Sequence, residues 1–401
     1  MENVTLRFRA WSLPPDEKHV DVLDGIRALM ILLVGWFHIW QQGWLSPTLP
    51  LVGSLDVLPR TGYLWVDGML LLSGFLLYLP YTAGSKAPSV TAFYKRRLIR
   101  ILPSYLLCFL PLFVICVLQG KYPDTGFAVK DFITHLTFTQ TLFQDTYFSS
   151  PSNGALWTVA VEMQFYLIFP FLARAFRKKP VLTFLCMALA AFGFRYYAFT
   201  LEDPSMFFNQ MPAFLDVYAC GFAAAHVYAA LRKRMGSGKW DRGVRLLFTV
   251  LFVICVCQLV QICRGQAYGP AYGSIQHGQL ARRFPLAAVL ACTMVCAAGS
   301  LPPLRFALGN PVMRFLSSVS FQFYIWHQLI AVQLKKWRFP PSASDTPWSL
   351  PETPWLGDYG WQVRYMLLCF LLALAWATLL TYLFERPIAR TLRRKTKAER
   401  T

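Results

Sequence analysis

The residues most able to do chemistry in this 401-residue chain are ionisable groups set inside apolar runs. The first run reads Leu23-Asp24-Gly25-Ile26-Arg27-Ala28 and ends in Gly35-Trp36-Phe37-His38. Arg27 and His38 stand eleven residues apart, about three helical turns, so both project from nearly one face, with Asp24 close to that stripe. A later run reads Trp157-Thr158-Val159-Ala160-Val161-Glu162 and continues to Gln164-Phe165-Tyr166. A histidine beside a carboxylate is an orienting and polarising pair for general-base catalysis, and His38 with Glu162 offers one. Packing gives an equal alternative, in which each pairs with some other buried polar group.

Three further groups carry weight. Arg97 and Arg100, in Tyr94-Lys95-Arg96-Arg97-Leu98-Ile99-Arg100-Ile101-Leu102-Pro103, are i, i+3 neighbours on one helical face. Two forked guanidiniums suit a phosphate-bearing ligand, although the tendency of basic residues to anchor the inner ends of spans explains them as well. Asp67, ahead of Leu72-Ser73-Gly74-Phe75, is a buried acid able to orient Arg27 or another cation, and Ser73-Gly74 reads as a small-residue helix contact. His327, in Tyr324-Ile325-Trp326-His327, has no acidic neighbour at helical spacing and reads as a satisfied buried polar group. His135, His226 and His277 have less support still. Arg195, Asp216 and Phe384-Glu385-Arg386-Pro387 read as structural ion pairs and a helix stop. The chain has no glycine-rich phosphate loop, no serine elbow and no metal-ligand spacing, so the site must be assembled from separate helices, without a metal.

The elements that position these groups follow from composition. Apolar residues make up 56% of the chain and charged residues only 15%, against about a quarter charged in a soluble domain. That balance points to lipid as the solvent and to an all-α, polytopic transmembrane bundle. A helix of about 20 apolar residues crosses a bilayer. Ten spans are predicted, near 24–41, 62–81, 99–119, 154–173, 180–199, 209–230, 244–263, 282–300, 312–334 and 363–384. The net charge of +19 raises the question of nucleic acid, but most of the 39 Lys and Arg lie between apolar runs and no nucleic-acid motif accompanies them. Their bias towards alternate loops puts both termini in the cytoplasm and the chain in the cell membrane. On that topology His38 lies about 21 Å above the inner boundary and Glu162 about 10 to 12 Å below the outer one. In a hydrocarbon core of about 30 Å they arrive at similar depth from opposite directions.

The turn-rich aromatic segments Gly120 to Asn153 and Trp337 to Gln362 read as lids over an external opening. The ten cysteines fall in or beside apolar runs and are expected to be small buried hydrophobes. No cleavable leader is expected, so the first span stays attached. The organisation is a cytoplasmic arm over 1–23, one membrane domain over 24–385 and a basic cytoplasmic tail over 386–401. The Arg393-Arg394-Lys395 cluster in that tail reads as a cytoplasmic stop, with attraction for anionic lipid.

These motifs together resemble the acyltransferase-3 family of integral membrane O-acyltransferases. The resemblance is carried by Asp24-Gly25-Ile26-Arg27 with His38, Asp67 with Leu72-Ser73-Gly74-Phe75, Arg97-Leu98-Ile99-Arg100 with Pro103, Trp157 to Glu162 with Gln164-Phe165-Tyr166, Tyr324-x-x-His327 and Glu385-Arg386-Pro387. It implies that His38 is the catalytic histidine, that Glu162 supports it, that Arg97 and Arg100 hold an acyl-CoA donor and that Arg27 lines the donor path. Two departures stand out. Gly68-Met69-Leu70-Leu71 occupies the place of a usual Phe pair, and Met163 replaces a usual second Glu. The resemblance implies no bound cofactor, with acyl-CoA, in the first instance acetyl-CoA, as co-substrate. It also implies a carbohydrate or lipid-linked glycan hydroxyl as acceptor. Some relatives append an extracellular hydrolase-like domain; without one, the acyl group would be delivered directly or handed to a separate extracytoplasmic transferase. The rival reading is a transporter or permease, since polar residues on facing helices also line solute pathways.

Overall fold

The computed structural model describes residues 20–49, 53–82, 89–235, 242–269, 274–342 and 358–398, and these are almost wholly helical. The long elements are α1 (Asp21–Gly43), α2 (Trp65–Tyr78, entered through a 3-10 turn at Gly62–Leu64), α3 (Val90–Leu118), α4 (Thr125–Leu136) and α5 (Trp157–Lys178). They continue with α6 (Pro180–Thr200), α7 (Leu215–Met235), α8 (Arg242–Tyr268), α9 (Ile275–Gly299), α10 (Pro302–Gly309), α11 (Pro311–Lys336), α12 (Tyr359–Leu380) and α13 (Arg386–Ala398). A two-stranded antiparallel ribbon, Thr48–Leu49 with Gly53–Ser54, is the strand structure among the described residues.

Every predicted span coincides with a helix. Nine of the helical stretches among the described residues are long and apolar enough on their own to cross a membrane. The tenth, α11, has 26 residues but is more polar. Its Ser317, Ser320, Gln322 and His327 are buried, so its polar face turns into the bundle and away from lipid. The opposite case is α8, which is mostly unburied, with Leu246, Leu247, Val250, Val253 and Ile254 exposed. Such a helix faces hydrocarbon, where apolar exposure carries no penalty. The same reason corrects the expectation for the cysteines. All ten are free thiols, but Cys186, Cys257 and Cys292 lie exposed on the outer faces of α6, α8 and α9.

The centre of the bundle is α1, which packs along α11 and against α2 and α10. A Cβ at Gly25 would stand 2.1 Å from the Leu308 carbonyl oxygen of α10, so the first turns of α1 press backbone to backbone on that helix. The small-residue contact expected at Ser73-Gly74 is present between α2 and α7: a Cβ at Gly74 would meet Tyr218 O at 3.0 Å, and one at Gly221 would meet Leu71 O at 2.3 Å. This close approach fixes α2, and with it Ser73 and Asp67, against the core.

The expectation for the last helix end changes. Pro387 does not stop a helix: α12 passes through a π-helical turn, Thr381–Glu385, into α13. The wider turn frees backbone groups, and Pro387 then falls in the first turn of α13, where a missing N–H costs little. The segment from Gly120 to Asn153 carries α4 and a short helix at Gln144–Phe148 and is tied to α5 and α11. Gln164 Nε2 donates to Phe138 O at 2.8 Å, and Asn153 Nδ2 donates to Ile325 O of α11 at 2.7 Å. Of the second segment, Trp337 to Gln362, residues 343–357 lie outside the described residues.

Candidate active site

Five helices supply the polar groups. Arg27 from α1, Ser73 from α2, Arg97 and Arg100 from α3, and Glu162 and Tyr166 from α5 line one cleft with about 880 Å³ of empty space, with α11 contributing Ser320 and Tyr324. Glu162 and Tyr166 are i, i+4 neighbours, and the Tyr166 hydroxyl donates to Glu162 Oε1. Ser73 Oγ donates to the same oxygen at 2.6 Å, so α2 and α5 meet at this carboxylate. The Arg97 guanidinium lies 5.7 Å from the ring centroids of both Phe93 and Tyr166, a cation held between two aromatic faces. Its Nε is buried and makes no hydrogen bond.

Arg100 also lines a second cleft of about 660 Å³ with Glu385, Arg386 and Arg390. Glu385 is anchored there, accepting from Gln322 Nε2 at 3.0 Å and from Ser104 Oγ at 3.4 Å. Arg386 and Arg390 are one turn apart on α13, a spacing visible in the sequence, where Arg386 reads only as part of ion pairs and a helix stop and Arg390 as part of the basic tail. They line this second cleft with Arg100, which also lines the first, and no local pattern announced that meeting.

His38 is placed differently from expectation. Its Nδ1 lies 2.9 Å from His327 Nε2 and 3.2 Å from Val34 O, one turn back on its own helix. His327 is fully buried, and its Nδ1 stands 2.7 Å from Tyr324 O and 3.0 Å from Phe323 O. The hydrogen bonds of Glu162 described above go to Ser73 and Tyr166, so the direct His38–Glu162 contact expected from matched depth is replaced by a His38–His327 contact. Depth alone cannot give the rotation of a helix, and α11 occupies the side of α1 that faces His38. The pair adjoins the cleft through Tyr324, which lines it and whose ring centroid stands 5.7 Å from that of His327.

The family is settled by a comparison that covers most of the chain. An acyltransferase domain model, that of the acyltransferase-3 family, matches residues 20–384. The chain belongs to the acyltransferase-3 family. It is an integral membrane enzyme that transfers acyl groups. It is similar to acyltransferase MdmB of Streptomyces mycarofaciens, 27% identical over 336 residues that cover 79% of this chain and 80% of the relative. Nodulation protein 10 of Rhizobium leguminosarum bv. viciae is 25% identical over 340 residues, 78% of this chain and 83% of the relative. O-acetyltransferase OatA of Staphylococcus aureus (strain NCTC 8325 / PS 47) matches a shorter stretch, 26% identical over 191 residues, 44% of this chain and 29% of that protein. No solved structure matches significantly.

In this acyltransferase-3 chain Asp24, Asp67 and Asp216 hold helices together. Asp24 Oδ1 accepts from Ser317 Oγ at 2.7 Å, tying α1 to α11. Asp67 pairs with Arg283 of α9, Nε to Oδ2 at 3.0 Å, with both side chains fully buried; Arg283 also donates to Phe208 O at 2.5 Å and lies 4.0 Å over the Phe214 ring. The cation that Asp67 orients is therefore Arg283, which the sequence showed only as one of two arginines heading an apolar run. Arg195 and Asp216, each expected in a structural ion pair, pair with one another, with contacts at 2.7 and 2.5 Å. Asp67→Ala would leave Arg283 buried without its counter-charge, a loss of roughly 3–5 kcal/mol. A large drop in the thermal midpoint in nanodiscs is expected, mostly reversed by adding Arg283→Met; a variant as stable as wild type would show the pair to contribute little. Among the described residues, no cluster of three or more His, Cys, Asp or Glu is arranged to hold a metal ion.

Proposed function

We propose that this enzyme moves an acyl group, acetyl in the first instance, from cytoplasmic acyl-CoA to a hydroxyl of a cell-surface carbohydrate or lipid-linked glycan. The observation that carries this reading is the arginine-lined cleft running from Arg100 to Tyr324, with a histidine pair beside its far end. With both termini cytoplasmic, the start of α3 and the α12–α13 junction face the cytoplasm, where the donor is available. The phosphates of CoA are multiply charged, and Arg97, Arg100, Arg386 and Arg390 offer forked donors for them. Arg27 lies along the path taken by the pantetheine arm. The staphylococcal relative is named an O-acetyltransferase, which supports acetyl and an oxygen acceptor.

At the far end, His38 removes the acceptor hydroxyl proton as the oxygen attacks the thioester carbonyl. The C–S bond breaks, and the CoA thiolate leaves with a proton returned by the imidazolium. In the two-step route the same ring attacks the thioester first, releases CoA, and passes the acyl group on. Glu162, held by Ser73 and Tyr166, sits among the arginines and balances their charge while the donor is absent. The acceptor approaches from the outer side, directly or through a separate extracytoplasmic transferase.

The test uses the full chain in nanodiscs with labelled acetyl-CoA and a panel of carbohydrate acceptors. Acceptor-dependent thiol release with label on the acceptor oxygen is the expected result. Failure to bind CoA at millimolar concentration would remove the donor assignment. Rapid-quench capture of label on the protein would favour the two-step route.

A further inference from the structure

The pattern of hydrogen bonds around His327 fixes where the proton sits on His38. A backbone carbonyl oxygen can only accept. His327 Nδ1 faces two of them, Tyr324 O at 2.7 Å and Phe323 O at 3.0 Å, so this nitrogen carries a hydrogen. In the neutral ring the other nitrogen, Nε2, is then a bare acceptor. It stands 2.9 Å from His38 Nδ1, which must donate, and the same His38 hydrogen is shared with Val34 O at 3.2 Å. Among the described residues no carboxylate hydrogen-bonds to either ring, and an unpaired charge buried there would be costly. Reversing the arrangement would point His38 Nδ1 as a lone pair at Val34 O, a repulsive contact. The chain of donors therefore runs from His38 to His327 to the α11 backbone, and only His38 Nε2 keeps a free lone pair.

We propose that His327 is the positioning residue of the reaction: by accepting from His38 Nδ1 it selects the tautomer whose Nε2 is able to take a proton or attack the thioester. This inference rests on the reading that His38 is the reacting base. It assigns to a second histidine the orienting part that a carboxylate plays in many hydrolases. When His38 Nε2 gains the acceptor proton, its Nδ1–H donates more strongly to His327, which spreads the positive charge towards the two α11 carbonyls. No co-reactant is needed, since the proton returns to the leaving thiolate.

The experiment combines imidazole 15N NMR with kinetics on the full-length protein in nanodiscs, the His38 signals being assigned by their loss in His38→Gln. In the wild type, His38 is expected to be protonated at Nδ1 and unprotonated at Nε2. His327→Gln supplies an amide oxygen that can accept from His38 and is expected to stay within about tenfold of wild-type turnover. His327→Phe keeps a ring without an acceptor; it is expected to lower kcat by roughly 10- to 100-fold, with the acyl-CoA KM unchanged and the Nε2–H tautomer of His38 populated. A wild-type His38 protonated at Nε2, or Gln and Phe variants of equal activity, would overturn the proposal. The wild-type spectrum decides even where a variant fails to fold. An active His38→Ala protein with the stated tautomer present in wild type would remove the catalytic reading of His38 while leaving the hydrogen-bond chain intact.

Discussion

His38→Ala is expected to reduce acetyl transfer from acetyl-CoA by about 10²- to 10⁴-fold in kcat, the range supplied by a positioned general base. The loss is expected in turnover and not in donor affinity, because Arg97 and Arg100 lie on α3 and the alanine removes nothing from the cleft lining. Some stability is lost as well. Truncation leaves His327 Nε2, fully buried on α11, without its donor, at about 1–3 kcal/mol. That cost is small enough for the helices to stay assembled, so size-exclusion behaviour and CoA binding of the variant separate a chemical defect from a folding one. Retained turnover in a properly inserted His38→Ala protein would sink the mechanism, whichever of the two routes is considered. Full loss in kcat with unchanged CoA binding is the result that a base or nucleophile requires.

The second large effect concerns the donor. Arg97→Ala with Arg100→Ala is expected to raise the acyl-CoA Kd by two orders of magnitude or more, since each charge-assisted bond to phosphate is worth about 1.5–3 kcal/mol and each 1.4 kcal/mol is tenfold. The two positions are unlike. Arg97 is half-buried between Phe93 and Tyr166, with a buried Nε that has no hydrogen-bond partner, whereas Arg100 is exposed where the two clefts meet. Salt should therefore weaken the Arg100 contribution more than that of Arg97. Arg97→Lys keeps the charge but loses the planar fork and the fit between two rings, and an intermediate affinity is expected. Isothermal titration with CoA and with dephospho-CoA measures these differences. Unaltered CoA affinity in the double variant would return both residues to the role of inner-end anchors, and attention would pass to Arg386 and Arg390.

The regular parts of the protein were legible because lipid imposes a simple rule on each segment separately. A run such as Asp21–Gly43 must bond its own backbone groups, so apolar length alone predicts the helix. The i, i+3 relation of Arg97 and Arg100 and the eleven-residue relation of Arg27 and His38 needed only the helical period. Glu162 with Tyr166 is another such relation, and the Tyr166 hydroxyl on that carboxylate could have been read from the i, i+4 spacing. Asp67 was legible as a buried acid, but its cation was not, because Arg283 lies 216 residues away and is joined to it only by the packing of α9 on α2.

By itself, then, the sequence determined the membrane-embedded helical class, the order of the helices and the short list of ionisable groups that the bilayer would not tolerate without a purpose. It determined the depth of each group along its own helix, since rise per residue is fixed. The rotation of one helix about another is set by contacts between distant segments, and only the tertiary structure decided it. The close seat of Gly25 on α10 and the burial of the polar face of α11 turn His38 towards His327, while Ser73 and Tyr166 hold Glu162 in the arginine cleft. His38 and Glu162, predicted to arrive at similar depth, thus end with different hydrogen-bond partners, because depth follows from a chain segment and facing is a property of the bundle.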